Sequence, residues 1–416
     1  MQNNQNSLVD YHFTHQATTK FKDITVVLRM MIPLSKANTT SAAVYLYMVE
    51  DRNQQYPTKK DMLHIKDLLY GTTLSTGVIG YGSYFSMQVA SKVMDPSFGD
   101  DPQLLSKHAS WFNHIVFEPL INQETLKEAK EQVASSLYRE LDSPSKYAQL
   151  QAFSALGEDQ TIAINLDGDL KSLEAITVKS MIEFHQQVMK SSMRHLYVIG
   201  NITKELAIKH YKVRLLSNNH TFSYASEPIS LKDKGTLTES KVSTQTQMVK
   251  LLKTNVTMDH PLYLANRVAI AAFGQLQTSL LFMEVREKRS LCYSISAQFI
   301  AFDGLCMVRT GIDQSNIELV DGLINEQVEA LKTLSGSLLQ QAKTMLINAI
   351  NTSDDELLSF INLHYSYHLI GQRFDKQNVI QAIEAITLLE INHAVSLWEN
   401  LLVYIVKGEA NHETNH

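Results

Sequence analysis

The sequence repeats its own plan, and that duplication constrains the fold more than any single motif. In the first half, a continuous apolar run at 24–34 (ITVVLRMMIPL) reads as a strand buried on both faces. Two helical tracts follow it, then two strand-like runs joined around Tyr81-Gly82, then long helices including one tract over 123–156, and a short apolar run at 194–201 (RHLYVIGN). The second half repeats this order. It has a strand at 244–256, helices at 262–273 and 278–288, two strands joined around Asp303-Gly304, long helices, and a last strand at 401–408 (LLVYIVKG). Solenoid units have periods of about 20–50 residues, so a repeat of this length is a domain and not a solenoid unit. The expectation is an α+β chain of two homologous domains, each an antiparallel or mixed sheet covered by helices on one face. The predicted boundaries are 1–216, a polar linker at 217–241 and 242–416. A chain of 416 residues also needs more than one core.

Charge and cysteine usage narrow the function classes. The formal net charge is −6 and no basic stretch stands out, which argues against nucleic acid as a partner. The two cysteines, Cys292 and Cys306, fall on neighbouring strands of one hairpin but not opposite each other. No disulfide is expected, and the compartment reads as reducing. The first residues carry no basic and apolar signal pattern, and no run approaches about 18 apolar residues. The expectation is a cytoplasmic protein with no membrane span.

One stretch carries chemistry. Residues 281–296 (LFMEVREKRSLCYSIS) read as a helix end, a basic turn and the start of a strand. They echo residues 65–80 (IKDLLYGTTLSTGVIG) in the first half. Arg286 and Tyr293 stand out as groups that can hold a peptide: a guanidinium donates in bidentate fashion to a carbonyl or carboxylate, and a phenol can hold a developing oxyanion. Taken alone, an Arg at a helix end and a Tyr on a strand are commonplace structural residues.

With the duplication, this stretch resembles the insulinase and pitrilysin metallopeptidases, which include the mitochondrial processing peptidase subunits. In that family's second half a helix ending in Arg-Glu-Lys leads into a Leu-x-Tyr strand. TKFK at 19–22, YPT at 56–58 and LYGTTLS at 69–75 are similar to the small bacterial, half-length YfmF-type branch. The resemblance spans nearly the whole chain. It implies an inverted zinc motif, H-x-x-E-H, on the first helix, with two histidines as ligands, the Glu as general base and a downstream Glu as third ligand. The matching positions here are Ala43, Leu46 and Tyr47, none of which can bind zinc or act as a carboxylate base. Glu124, Glu128 and Glu131 lie where the third ligand is found in the family, and without the histidines they read as a solvated helix face.

The resemblance therefore implies a chain that is not an enzyme on its own and carries no cofactor, zinc being expected in a partner subunit. The expected partners are a zinc-bearing paralogue, to which this chain contributes Arg286 and Tyr293, and a peptide substrate. The alternative is a scaffold or peptide-binding partner with no part in turnover. A third possibility rests on His364 and His368, four residues apart on a predicted helix, as a metal site of their own. No third ligand is evident there, and a coincidental helix face is the simpler reading.

Overall fold

The computed structural model describes residues 12–217, 228–243 and 245–409. The chain falls into two compact units, Met1–Leu137 with Asn165–Ser223, and Tyr138–Ile164 with Tyr224–His416. In chain order the first part comprises β1 (Phe13–Ala17), β2 (Asp23–Pro33), α1 (Lys36–Asp51), α2 (Lys59–Leu68), β3 (Thr73–Tyr81), β4 (Tyr84–Met94), α3 (Leu104–Phe117), α4 (Gln123–Asp142), α5 (Pro144–Ser154), α6 (Leu170–Ala175), α7 (Val178–Ser191), β5 (Met193–Gly200), α8 (Lys204–Ala207) and α9 (Val213–Leu215). The rest comprises β6 (Thr236–Val242), β7 (Thr246–Lys253), α10 (Tyr263–Gly274), β8 (Cys292–Ile300), β9 (Leu305–Ile312), α11 (Ile317–Ala330), α12 (Gly336–Thr352), α13 (Leu357–Leu369), α14 (Lys376–Ala385), α15 (Leu388–Ser396) and β10 (Glu399–Glu409).

The duplication is visible in the sheets. One runs β1-β5-β2-β4-β3 and the other β6-β10-β7-β9-β8, the same order strand for strand. Both are mixed, because the first strand of each unit pairs parallel to the last and every other pairing is antiparallel. The hairpins turn at Gly82 and Gly304, both at positive φ, a conformation glycine adopts without steric cost.

In the first unit, nine consecutive positions of β2 are buried, as its unbroken apolar run predicts. Ile24, Val26, Leu28, Met30 and Ile32 share one face and join the core with α1, α3 and α7. The one charge in the buried run, Arg29, points to the other face and donates to Tyr81 Oη at 2.8 Å and Gln88 Oε1 at 3.0 Å. A buried guanidinium needs such partners.

In the second unit the two faces of the sheet are occupied differently. Val249, Leu251, Met307, Leu402 and Tyr404 share one face with Ala148, Ala152 and Leu156 of the α5 segment. On the other face, Lys250 reaches α11 and Gly274 of α10 abuts Ala297.

Three local features depart from the sequence reading. The helical tract over 123–156 breaks at Ser143-Pro144: Pro144 opens α5, as proline does at a first helical position. A boundary at 216 puts 138–164 with the first domain, whereas its apolar face packs into the second core. Of the expected linker at 217–241, residues 218–227 lie outside the described residues, and 236–242 form β6. The cysteines follow the reading: Cys306 pairs with Phe299 and Cys292 with Ile312, so the two thiols do not stand opposite each other.

Candidate functional site

Helix α1 carries Ala43, Leu46 and Tyr47, the three positions that the family resemblance matches to a zinc motif. Ser35 caps it, its side chain accepting from Asn38 N. Ala43, Leu46 and Tyr47 recur at i, i+3 and i+4, with Glu50 one turn further, so all four share a face. That face lines a cavity of about 230 Å³. Thr76, Gly77 and Val78 of β3 and Val133 and Ser136 of α4 complete most of its wall. Leu46 is buried and Tyr47 is 40 % exposed. A methyl, an isobutyl and a phenol do not form a zinc donor set. Among the described residues no three His, Cys, Asp or Glu side chains group to hold a metal ion.

The α4 carboxylates are turned to another task. Arg52, just past α1, is 6 % exposed and donates to Glu128 Oε2 at 2.6 Å and to Glu124 Oε1 at 3.4 Å. Lys59 reaches Glu128 at 2.8 Å, and its hydrogen bond is the main cause holding the Glu128 carboxyl below the usual carboxylate range. Glu124 and Glu128 therefore form an ion-pair cluster that ties α4 to the end of α1, rather than a merely solvated face. Glu131 stands 4.0 Å from Lys127 on an exposed flank.

The second candidate pair sits on the other unit. Residues Phe282–Glu287 form a π-helical turn, anchored by Leu281 and Val285, both fully buried. Glu284 gathers Lys288 at 2.7 Å and Arg289 at 3.0 Å. Arg286 lies over the Phe282 ring, 4.5 Å from its centroid, with the Glu287 carboxylate at 3.8 Å. Ser290, at φ 53°, ends the turn in the left-handed region. Tyr293 follows at the start of β8, where the register with β9 shifts between Cys292 and Ile295, and it is 86 % exposed. Burial raises the pKa of Cys292, with a hydrogen bond to Thr310 and the Arg286 charge acting against it.

The histidine pair on α13 does not form a site. His364 packs between Phe360 and Phe374, with ring centroids 4.4 and 5.2 Å away, and burial pushes its pKa down to about 4. His368 stacks on Tyr365 at 6.2 Å.

A family model described as the Peptidase M16 inactive domain matches residues 175–346. Over that stretch the chain is similar to the M16 peptidases. The resemblance read from residues 281–296 is to this family, and those residues fall within the matched stretch. A curated relative, the "Probable inactive metalloprotease YmfF" of Bacillus subtilis (strain 168), is 24% identical over 408 residues, covering 94% of each chain. Two solved structures share the fold. A conserved protein from Enterococcus faecalis V583 superposes with a TM-score of 0.87 at 22% identity, covering 96% of this chain and 97% of its own. A peptidase M16 inactive domain from Pseudomonas fluorescens gives 0.78 at 16% identity, covering 97% and 96%.

Two features of this chain escaped the sequence reading. One is the cavity, which needs β3 and α4 brought beside α1. The other is Glu50, whose Oε2 accepts from Thr76 Oγ1 at 2.9 Å. The signal that could have found it was its position, one turn past Tyr47 on the same helix face.

Proposed function

We propose that this chain is a catalytically silent M16 homologue that pairs with a zinc-bearing paralogue and contributes Arg286 and Tyr293 to holding a peptide precursor during processing, in the cytoplasm. It carries no cofactor itself, and the zinc belongs to the partner. The observation that carries this reading is the contrast between the two candidate sites. The helix face at Ala43, Leu46 and Tyr47 offers no metal donor set, while Tyr293 presents its ring to solvent and Arg286, stacked on Phe282, has the Glu287 carboxylate 3.8 Å away. Both side chains are available to a peptide. The word "inactive" in the name of the B. subtilis relative agrees with the silent half of the reading.

The test is reconstitution of the chain with its zinc-bearing paralogue and an assay of peptide cleavage. Arg286→Ala and Tyr293→Phe are each expected to cut turnover by about tenfold or more, the scale of losing a charge-assisted hydrogen bond to substrate. Full activity in both variants would sink the composite site.

A second reading, peptide binding or scaffolding without turnover, is favoured by β3. It is an outer strand of its sheet, and its nine residues, TLSTGVIGY, contain no charge and no proline. Natural edge strands are commonly guarded by such residues, and an unguarded one is a template for an added strand. Tight peptide binding by the isolated chain, with cleavage by the complex indifferent to Arg286 and Tyr293, would favour this reading.

A further inference from the structure

We infer that a second cavity of the first unit, between α4 and the start of α7, binds a small monocarboxylate with an apolar body. The cavity measures about 360 Å³, within the range of about 300–1,000 Å³ for small-molecule sites. It shares no residue with the cavity beside α1. Its walls are apolar: Leu126 of α4 and Ile176 are buried, and Val178, the first residue of α7, is half-buried. Three charged groups of α4 stand over these walls, Lys127, Lys130 and Glu131, which share a helix face at spacings of three and four. Lys130 is already fixed. Its Nζ donates to the carbonyls of Glu174 and Ile176, both at 3.1 Å. An ammonium has three hydrogens to donate, so one remains for a ligand. Lys127 lies on the preceding turn, exposed, and Glu131 is 4.0 Å from its Nζ, too far for a hydrogen bond. Its donors are therefore open to a ligand as well. Two ammonium groups against one carboxylate leave an excess of one positive charge, which a single carboxylate neutralises through charge-assisted hydrogen bonds. A dianion would set its second charge against Glu131, and like charges repel. The apolar walls then take the body of the ligand.

The experiment titrates the full chain at neutral pH with hydrocinnamate, its uncharged analogue hydrocinnamamide and the dianion benzylmalonate, with binding read by ligand-detected NMR. Hydrocinnamate is expected to bind about tenfold tighter than either of the others. Lys130→Met is expected to bring acid and amide together. Because Lys130 also holds the carbonyls that precede α7, its circular dichroism melt is checked against the native chain. Lys127→Met, at an exposed position that leaves the fold undisturbed, is expected to weaken the acid alone by about threefold, the scale of an exposed charge pair. Val178→Trp fills the cavity and is expected to abolish binding of all three. Equal affinity for acid and amide in the native chain overturns the proposal, as does tighter binding of benzylmalonate or an acid preference unchanged in both lysine variants. Binding that survives Val178→Trp lies elsewhere and overturns it too, and so does the absence of binding by any of the three compounds.

Discussion

Lys250 Nζ donates to Asp321 Oδ1 at 2.7 Å from a side chain only 2 % exposed, joining β7 to α11 inside the second unit. Asn325 Oδ1 accepts from the same ammonium, also at 2.7 Å. A charge this deep is tolerated because it is paired, and removing one partner leaves it stranded. Asp321→Ala is expected to cost about 3 kcal/mol, towards the low end for a broken buried pair because Asn325 remains. Lys250→Met combined with Asp321→Ala should recover most of that loss, since a buried pair replaced by apolar atoms is often neutral. The two tryptophans make this measurable: Trp111 lies in the first unit and Trp398 in the second. In a Trp111→Phe background, guanidinium unfolding followed by Trp398 fluorescence reports the second unit. A double variant as unstable as the single would show that Lys250 does more than satisfy Asp321.

Asp303 sets a pH dependence of definite sign. It sits at the turn between β8 and β9, 7 % exposed, and its carbonyl accepts from Ile229 N at 3.2 Å. Burial raises its carboxyl pKa from 3.8 to about 6. Between those values the folded chain keeps a proton that the unfolded chain has released. Stability contributed by this group is therefore full below about pH 4, falls as pH rises towards 6, and stays lower above it. The difference at neutral pH is about 3 kcal/mol, since each tenfold change in proton affinity is worth about 1.36 kcal/mol. Asp303→Asn should thus raise stability at pH 7.5 and give little or no gain at pH 4. Urea unfolding of native and variant at the two pH values checks this, and an equal gain at both would show that the ionisation is not the cause.

The parts of the fold that the sequence made legible are those whose signal is local. The buried run of β2, the turns at Gly82 and Gly304, and the repeated order of elements all come from periodicity and turn chemistry within short windows. The two strands missed, β1 and β6, are short or polar, and each is defined by parallel pairing to a strand more than 150 residues away in sequence. No window of sequence contains that partner. The break before α5 was different: Ser143-Pro144 is a helix-start signal, and it was overridden by the helical pattern on either side. At the candidate site, Arg286 and Tyr293 were readable because they fall in one contiguous motif. Glu50 acquires its meaning from Thr76, on a strand that only the folded chain brings beside it.

The placement of α5 gives the sharpest test of how the chain divides. By sequence it belongs to the first half, and by packing to the second unit. Ala148 and Ala152 are fully buried in the cluster formed with Val249, Leu251 and Met307. At the helix edge Arg309 of β9 donates to Gln149 Oε1 at 2.9 Å. Ala148→Asp places an unpaired carboxylate in that cluster and is expected to cost about 3 to 5 kcal/mol. The loss should appear in the transition reported by Trp398, with Trp111→Phe as background. The transition reported by Trp111, with Trp398→Phe as background, should move by no more than about 0.5 kcal/mol, the usual limit for distant independent sites. Arg309→Ala should lower the Trp398 transition by a smaller amount, about 1 kcal/mol, the typical worth of one hydrogen bond. The opposite pattern, in which Ala148→Asp unfolds the Trp111 unit and spares the Trp398 unit, would return residues 138–164 to the first domain.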